Sequence, residues 1–565
     1  MGVGDRFSIF RNDPPRAFAA RLARLARGAG VLEDVRASAL PSIARLVLGQ
    51  GVGAHMTHGL HARSRPDRLA LVDGERAVTY AEADAEINRI ARGLRTRMGA
   101  RRGEPVALMM ENRVEYVLFW MALFRLGVPA VHVSYRSTRA ELGYMLEHSG
   151  ARLIIASEAT SGVAREAAAV HGAKVVGAGG AEDVDVTSWA LTKGMSSIPP
   201  RRNSGESSSD NVVYTSGTTG RPKGAVRDFK SIGALELSRL MDGLGATAAE
   251  QHLVVAPLYH SAAQAFTLLY TALGATIHLR PSFDAADALS VMSARGVTST
   301  FMVPTMIRRL VELPDEVWDA HPPRALQALV SGAAPFPQAL RARAIARLGA
   351  RSVFDFYGAT ELGWVTLARG DEMLARPGTV GRALPGQELA VFSEGGERLP
   401  AGEVGVVHVR SPQRMSGYLH DAEATSAAER GEWLTVDDLG HVDEDGYLFV
   451  GGRARDMIIS GGVNVYPVEI EDALARHPSV REVAVVGEPD EEWGERIVAF
   501  VVYEEGAGGV DAEPEAALEA HARGALARHK IPRRWVRLGE LPRNNTGKVL
   551  KRTLREELVS EREEE

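Results

Sequence analysis

The chain has 565 residues, 45% hydrophobic and 24% charged, with 66 Lys plus Arg against 72 Asp plus Glu and a formal net charge of −6. This is ordinary globular composition, which excludes disorder, collagen-like repetition and a global electrostatic pull towards nucleic acid. There is no cysteine, so disulfides, thiolate–metal sites and a Cys nucleophile are excluded, and any thiol in the chemistry must come from a substrate.

Residues 1–50 read as a helical N-terminal extension. Met1-Gly2 begins like an acylation signal, but Arg6 stands where Ser or Thr is required. Between Pro15 and Gly30, Phe18, Leu22, Leu25 and Ala29 recur at helical spacing, with Arg16, Arg21, Arg24 and Arg27 among them. Two readings stay open: a helix resting on a membrane surface, and a packed helix with a solvated basic face. The chain is expected to be cytoplasmic, with this helix as the one point of membrane association.

Leu69–Asp73 and Val78–Tyr80 predict a hairpin turned at Gly74, followed by a helix over Tyr80–Met98. The apolar run Tyr116–Phe124 is broken by Arg125 and too short to span a bilayer, so it predicts a buried helix. Val106–Met109, Val131–Val133 and Leu153–Ala156 are strand-like and separated by helical patterns, the signature of a wound α/β domain. The polar run Arg201–Asp210 predicts a loop into a strand at Asn211–Thr215. Alternation continues to about residue 385, and Leu389–Arg410 turns β-rich, with a turn at Glu394–Glu397. Gly446–Gly452 predicts a strand, Glu469–Ala475 a helix, and Val480–Tyr503 two strands. The Arg-Glu-rich C-terminus is expected to be a solvated tail. The expected fold is α/β: a large domain over residues 51–455, of wound α/β subdomains plus a β-rich one, then a small mobile α+β domain over 456–565.

Five segments carry chemistry. Tyr214-Thr-Ser-Gly-Thr-Thr-Gly-Arg-Pro-Lys-Gly224 offers hydroxyls at Ser216, Thr218 and Thr219, small Gly217 and Gly220, and the charge of Lys223. Such a loop lets backbone and hydroxyl donors approach a phosphate chain, although no Ser or Thr follows the lysine as in a Walker loop. In Phe356-Tyr-Gly-Ala-Thr-Glu361 the aromatic Tyr357 can stack on a purine and Glu361 can hold Mg²⁺ by oxygen. Asp438, opposite Arg453 across an expected hairpin, can accept both hydrogen bonds of a ribose diol. Gly461-Gly462 leaves an open path beside the backbone, and Lys548 stands on a polar loop. Seen singly, each reads equally as a turn, a surface pair or a solvated lysine.

In this order the five segments resemble the adenylate-forming superfamily of acyl-CoA synthetases and related enzymes, across roughly residues 50–555. The resemblance implies ATP, Mg²⁺ and CoA, and two half-reactions: a carboxylate attacks the α-phosphate of ATP, then a thiol attacks the acyl-adenylate. It further implies that Thr215, Ser216, Gly217, Thr218, Thr219, Gly220 and Lys223 hold the β,γ-phosphates, with Thr218 and Glu361 as metal partners. Gly332, Ala333, Ala334, Asp355, Phe356, Tyr357, Gly358 and Thr360 would line the adenine slot. Asp438 and Arg453 would take the ribose, and Lys548 the carboxylate and α-phosphate. Asp456 would be the hinge that withdraws Lys548 and brings Gly461 and Gly462 to the thiol. His260 would gate the carboxylate end, or pack as a core histidine. The chain departs from the family at Asp437, where the family usually has Gly before the ribose acid; Asp438 is retained because Leu439-Gly440 follows it.

The expected acid is a medium- or long-chain fatty acid, because Phe266, Met302, Met306 and Trp364 are apolar candidates for its pocket. An aryl or alicyclic acid is the alternative. CoA is the expected acceptor, because Gly452–Asp456 runs straight into Met457–Gly462 without the insertion typical of ligases that load a carrier protein. The remaining alternatives are carrier loading and nucleotide binding without turnover. No nucleic-acid partner is expected.

Overall fold

In a computed structural model of the chain, the structure describes residues 54–74, 76–200, 210–215, 222–227, 240–241, 243–246, 250–504, 514–543 and 548–564. The segment expected to form an N-terminal helix lies outside them, as do Ser216, Gly217, Thr218, Thr219 and Gly220. Among the described residues no helix is long and apolar enough to cross a membrane.

Three sheets organise the described residues. In the widest, Leu69–Asp73, Thr276–Leu279, Gln251–Val254, Ser299–Met302, Ala328–Ser331 and Val353–Ala359 run parallel. The order then turns antiparallel through Gly363–Arg369, Thr379–Ala383, Tyr447–Arg453, Asp438–Val442 and Gly405–Arg410. In the second sheet, Asn211–Thr215, Ala130–Val133, Val106–Met109, Leu153–Ala156 and Lys174–Gly177 run parallel. Lys223–Arg227 and Gly417–Tyr418 extend it antiparallel. Val106–Met109 and Leu153–Ala156 are buried at every position, as strands covered on both faces must be.

The helix Val114–Leu126 is buried over Val114–Arg125 and packs against strands of both wide sheets. A helix so placed has no solvent face, hence its apolar run. Gly127 ends it at φ +68°, a left-handed cap that costs glycine no side-chain clash. Its polar groups are met locally. The Tyr116 hydroxyl bonds His132 Nδ1 at 2.6 Å, and Trp120 Nε1 donates to Asn211 Oδ1 at 3.0 Å.

The third sheet lies beyond Asp456: Ile458–Ser460, Val463–Val465, the long hairpin Val480–Asp490 with Gly494–Tyr503, and Arg534–Arg537 parallel to it. Apolar clusters cover both faces. One contains Ile470, Leu474 and Leu518, the other Leu541, Leu554 and Leu558. The expected solvated tail is corrected here: Lys551–Glu564 is a helix. Leu554 and Leu558 are four apart on one face and wholly buried, while the charged residues occupy the rest.

His58, His61, His132 and His252 are buried, and burial lowers them to about 3, 4, 4 and 3 respectively. Unfolding returns each to about 6.5. Their stabilising contribution is therefore complete above pH 6.5 and is lost as pH falls towards 4, by up to about 1.4 kcal/mol per histidine per pH unit. Thermal unfolding should show the midpoint dropping steeply between pH 6.5 and 5; a flat midpoint there would contradict neutral burial of these rings.

Candidate active site

The carboxyl ends of parallel strands in both wide sheets meet at one cavity of about 950 Å³. Thr215 follows from Asn211–Thr215, Val303 from Ser299–Met302, Ala333 from Ala328–Ser331, and Phe356, Gly358, Thr360 and Glu361 from Val353–Ala359 and the turn after it. This is where wound α/β sheets bind ligands, because loops diverge there and leave a crevice. The small domain closes the other side with Arg481, Glu482, Pro542, Arg543 and Lys548.

Ladder pairing of Thr215 with Lys223 and of Ala225 with Tyr418 brings the Thr215 and Tyr418 hydroxyls to Glu361, with Lys223 beside Tyr418. The hydroxyls of Thr215 and Tyr418 donate to Glu361 Oε1 at 3.2 and 3.0 Å. Glu361 is buried, and among the described residues its Oε2 has no hydrogen-bond partner. Lys223 Nζ lies 3.9 Å from Asp421 Oδ2 and 5.3 Å from the centre of the Tyr418 ring. Arg227 is buried beneath this turn and donates to the Thr360 and Gln413 carbonyls at 2.7 and 3.0 Å; burial lowers its pKa to about 10. Arg227 therefore ties the turn bearing Glu361 to its neighbours.

Asp438 and Arg453, the pair expected to take the ribose, face each other directly in the ladder, with Arg453 Nε 3.5 Å from Asp438 Oδ1; Arg453 lines the cavity, while Asp438 and Tyr357 adjoin it without lining it. The Tyr357 hydroxyl donates to Asp438 Oδ2 at 2.8 Å. Burial raises the Asp438 carboxyl, opposed by Arg453, by the Tyr357 hydrogen bond and by Lys548. Lys548 is lowered to about 8, chiefly by burial and then by Arg453, while Asp438 pulls the other way. Lys548, Asp438 and Arg453 thus interact as one charge cluster, although Lys548 comes from the small domain.

Asp437 has φ +61°, a left-handed conformation that a non-glycine residue rarely adopts. It lines the cavity, and its carbonyl accepts from Ala454 N at 2.8 Å. The departure from the family pattern is therefore an extra carboxylate on the cavity wall, with Asp438 still opposite Arg453.

His260 precedes the helix Ser261–Leu273 and lines the cavity. Burial lowers it to about 3, and Nε2 is buried without a hydrogen-bond partner among the described residues. It is neutral at working pH and offers a dipole rather than a charge. Gly358 lines the cavity, and only glycine fits there because a Cβ would lie 2.3 Å from the Gly363 carbonyl oxygen.

Several sequence-based expectations need correction. Asp355 does not line the adenine slot: its buried carboxylate pairs with Arg341. Gly332 and Ala334 flank Ala333 without lining the cavity. Gly461 and Gly462 form the turn of a small-domain hairpin, with Gly461 N donating to the Trp493 carbonyl at 2.7 Å, and they do not line the cavity. Of the expected acid pocket, Met306 and Trp364 line the cavity. Phe266 lies behind it and Met302 packs in a separate core cluster. Asp456 accepts from Arg555 Nη2 at 2.9 Å, which ties the segment between the domains to the C-terminal helix.

Tyr418 and Arg227 were missed as site residues. Tyr418 is reached only through a cross-strand pair between distant segments, and a lone Gly-Tyr carries no signal of that. Arg227 follows closely on Lys223-Gly224, but nothing in the sequence ties it to Thr360, 133 positions away.

Comparison with known proteins follows the same outline. The family model for AMP-binding enzyme matches residues 60–419, and that for the AMP-binding enzyme C-terminal domain matches residues 469–548. A 2-succinylbenzoate–CoA ligase of Geobacillus kaustophilus is 34% identical over 87% of this chain and 95% of its own length. The long-chain-fatty-acid–CoA ligase FadD13 of Mycobacterium tuberculosis is 32% identical over 85% of this chain and 93% of its own. ATP-bound MatB from Rhodopseudomonas palustris superposes with a TM-score of 0.78 at 30% identity, covering 90% of this chain and 99% of that one.

Tyr357→Phe removes a donor to a buried carboxylate while leaving the ring in place. It should raise KM for ATP roughly tenfold with little change in thermal midpoint. Steady-state titration of ATP measures this; a KM within twofold of wild type would separate the Tyr357–Asp438 pair from nucleotide binding.

Proposed function

The chain belongs to the AMP-binding enzyme family and is an AMP-forming acyl- or aryl-CoA ligase that uses ATP, Mg²⁺ and CoA, and on that premise we propose that its acid is a compact ring-bearing carboxylic acid, aryl or alicyclic. The observation that carries this reading is the aromatic wall at the acyl end. Phe301, Phe356 and Trp364 line the cavity, and Phe266 behind them stacks on Phe301 at 5.2 Å and on Trp364 at 5.8 Å between ring centres. Stacked rings held from behind form a rigid flat surface, which favours a planar or compact ligand. A medium-chain fatty acid is the second reading, favoured by Ala262, Ala265, Val303 and Met306 in the same lining. The acyl ends of relatives differ in the same way, one named for succinylbenzoate and one for long-chain fatty acids.

The site roles follow from charge. The substrate carboxylate is already ionised at neutral pH, so the first half-reaction needs two anions neutralised and aligned rather than a base. Lys548 supplies positive charge where carboxylate and α-phosphate meet. Asp438, held by Tyr357 and Arg453, accepts the ribose hydroxyls, and Lys223 faces the phosphate tail. Glu361 suits Mg²⁺, which asks for one or two carboxylates beside substrate phosphates, and among the described residues one of its oxygens has no hydrogen-bond partner. When bound there, the ion neutralises the phosphate oxygens. His260 stays neutral and so does not repel or trap the acid's charge. Withdrawal of the small domain about Asp456 then removes Lys548 before the thiol enters, leaving Gly461 and Gly462 to take its place.

A panel of aryl, alicyclic and linear acids, read by thioester mass with CoA as acceptor, tests the substrate. Ring-bearing acids should lead in kcat/KM by at least tenfold, and a lead for linear acids of eight or more carbons (~C8) would replace this reading with the second.

Lys548→Ala should cut pyrophosphate release by about 10² or more while sparing thioester formation from supplied acyl-adenylate. The wild-type kcat/KM for ATP should fall as pH rises through about 8, where Lys548 loses its proton. Lys548→Arg should move that limb to higher pH. Equal loss in both half-reactions, or a profile flat to pH 9.5, would remove Lys548 from this role.

A further inference from the structure

The helix Pro304–Val311 runs from the acyl end of the cavity to its mouth at the small domain, with Thr305, Met306, Arg308 and Arg309 lining the way and Glu312 just beyond its end. Arg308 is unlike the other buried cations of the chain. Its side chain is only 18% exposed, and its nearest carboxylate is Glu312 Oε1 at 4.0 Å. Among the described residues its guanidinium has no hydrogen-bonding partner. Two of the carboxylates near it are already engaged, Glu312 by Arg343 at 3.4 Å and Glu482 of the small domain by Arg543 at 2.8 Å, and Glu504 acts on it only at longer range, outside ion-pair distance. Arg309 and Arg481 line the same mouth, also without an ion-pair partner among the described residues, while Glu540 is the exposed acid there.

A desolvated guanidinium with donors aimed at a cavity is costly unless an anion completes it, and its planar fork matches the oxygens of a carboxylate or phosphate. Burial depresses the Arg308 pKa, only partly offset by Glu482 and Glu312, which agrees with an unsatisfied cation. The reaction centre has its own cations in Lys223, Arg453 and Lys548. Arg308 is therefore surplus to the nucleotide and the reacting carboxylate.

We propose that Arg308, supported by Arg309 and Arg481, forms an anion subsite at the mouth of the cavity that reads a carboxylate or phosphate group carried by a substrate away from its reacting atoms. This deepens the ligase reading and rests on it. Two sources share this chemistry: a second carboxylate on the acid, and the phosphates of CoA. Met306 and Arg308 line the same cavity from one helix, so a compact acid seated against Met306 can extend a second carboxylate towards Arg308. A thiol donor that enters once the small domain withdraws would pass the same mouth, where Arg308 and Arg309 remain on the large domain.

The experiment compares matched pairs on wild-type protein and on Arg308→Gln, with Arg308→Lys as the variant that keeps the charge. One arm sets CoA against pantetheine, which lacks the phosphates; the other sets dicarboxylic acids against monocarboxylic acids of equal length in pyrophosphate release without CoA. Wild type should prefer the anionic member of one pair by at least tenfold in kcat/KM, Arg308→Gln should reduce that preference roughly tenfold, and Arg308→Lys should retain part of it. Preference in the first arm assigns the subsite to CoA phosphate, and in the second to a second carboxylate. No preference in either arm, or a preference that survives Arg308→Gln, overturns the subsite. Both pairs are also compared by titration calorimetry, which needs no turnover. Tight binding of the anionic member without thioester from any acid would overturn the ligase reading and keep the subsite.

Discussion

The site depends on one buried carboxylate. Asp438 sits out of bulk water with Arg453 opposite it in the ladder, the Tyr357 hydroxyl 2.8 Å away, and Lys548 within electrostatic reach. Desolvation pushes that carboxyl towards its neutral form, and the surrounding donors and cations oppose it. These partners come from separate segments. Tyr357 ends a strand of the parallel half of the wide sheet, Asp438 and Arg453 belong to its antiparallel half, and Lys548 belongs to the small domain. Satisfying one charge therefore fixes the relative placement of three segments. A low-dielectric cluster of this kind tolerates little displacement, because each partner lost leaves a buried charge or donor unmet.

The same placement explains where strain is stored. Among the described residues only Ala333, His420 and Asp437 have positive φ without being glycine. Ala333 and Asp437 line the cavity, and His420 precedes Asp421, whose carboxylate is 3.9 Å from Lys223. Left-handed backbone at residues with a Cβ persists only where the surroundings over-determine it. Here the surroundings are converging strand ends, and the strained turns carry the chain sharply away from the crevice so that a ligand can enter.

Much of this was legible in the sequence, for a physical reason. Strands such as Val106–Met109 and Asn211–Thr215 are continuous apolar runs closed by turn residues, and the structure begins and ends them at the expected residues. Asp438, Arg453 and Lys548 were recognisable from their order with the other motifs, since no single one is distinctive. What was not legible depends on partners distant in the chain. Lys551–Glu564 reads as solvated because two leucines carry all of its burial, and the hairpin face they cover lies far upstream. Asp355 reads as a slot residue until Arg341, on a separate helix, is seen to hold it. Phe266 reads as pocket lining, yet it stands one layer behind Phe301 and Trp364.

The glycine pair and Lys548 show why two domains are needed. Lys548 reaches the charge cluster only with the small domain in its present position, and in that position Gly461 and Gly462 are turned away from the cavity, their hairpin held against Trp493. A positive charge that helps two anions meet has no such use once pyrophosphate has left and a thiol must reach an adenylate. A rigid protein would have to accommodate both sets of groups at one crevice, each desolvating the other. With both in one small domain joined to the rest near Asp456, the proposed rotation about a few backbone angles would exchange them. Arg555, from the final helix of that sheet's own core, grips Asp456 at 2.9 Å, so a small domain turning about this segment, as proposed, would carry Asp456 with it.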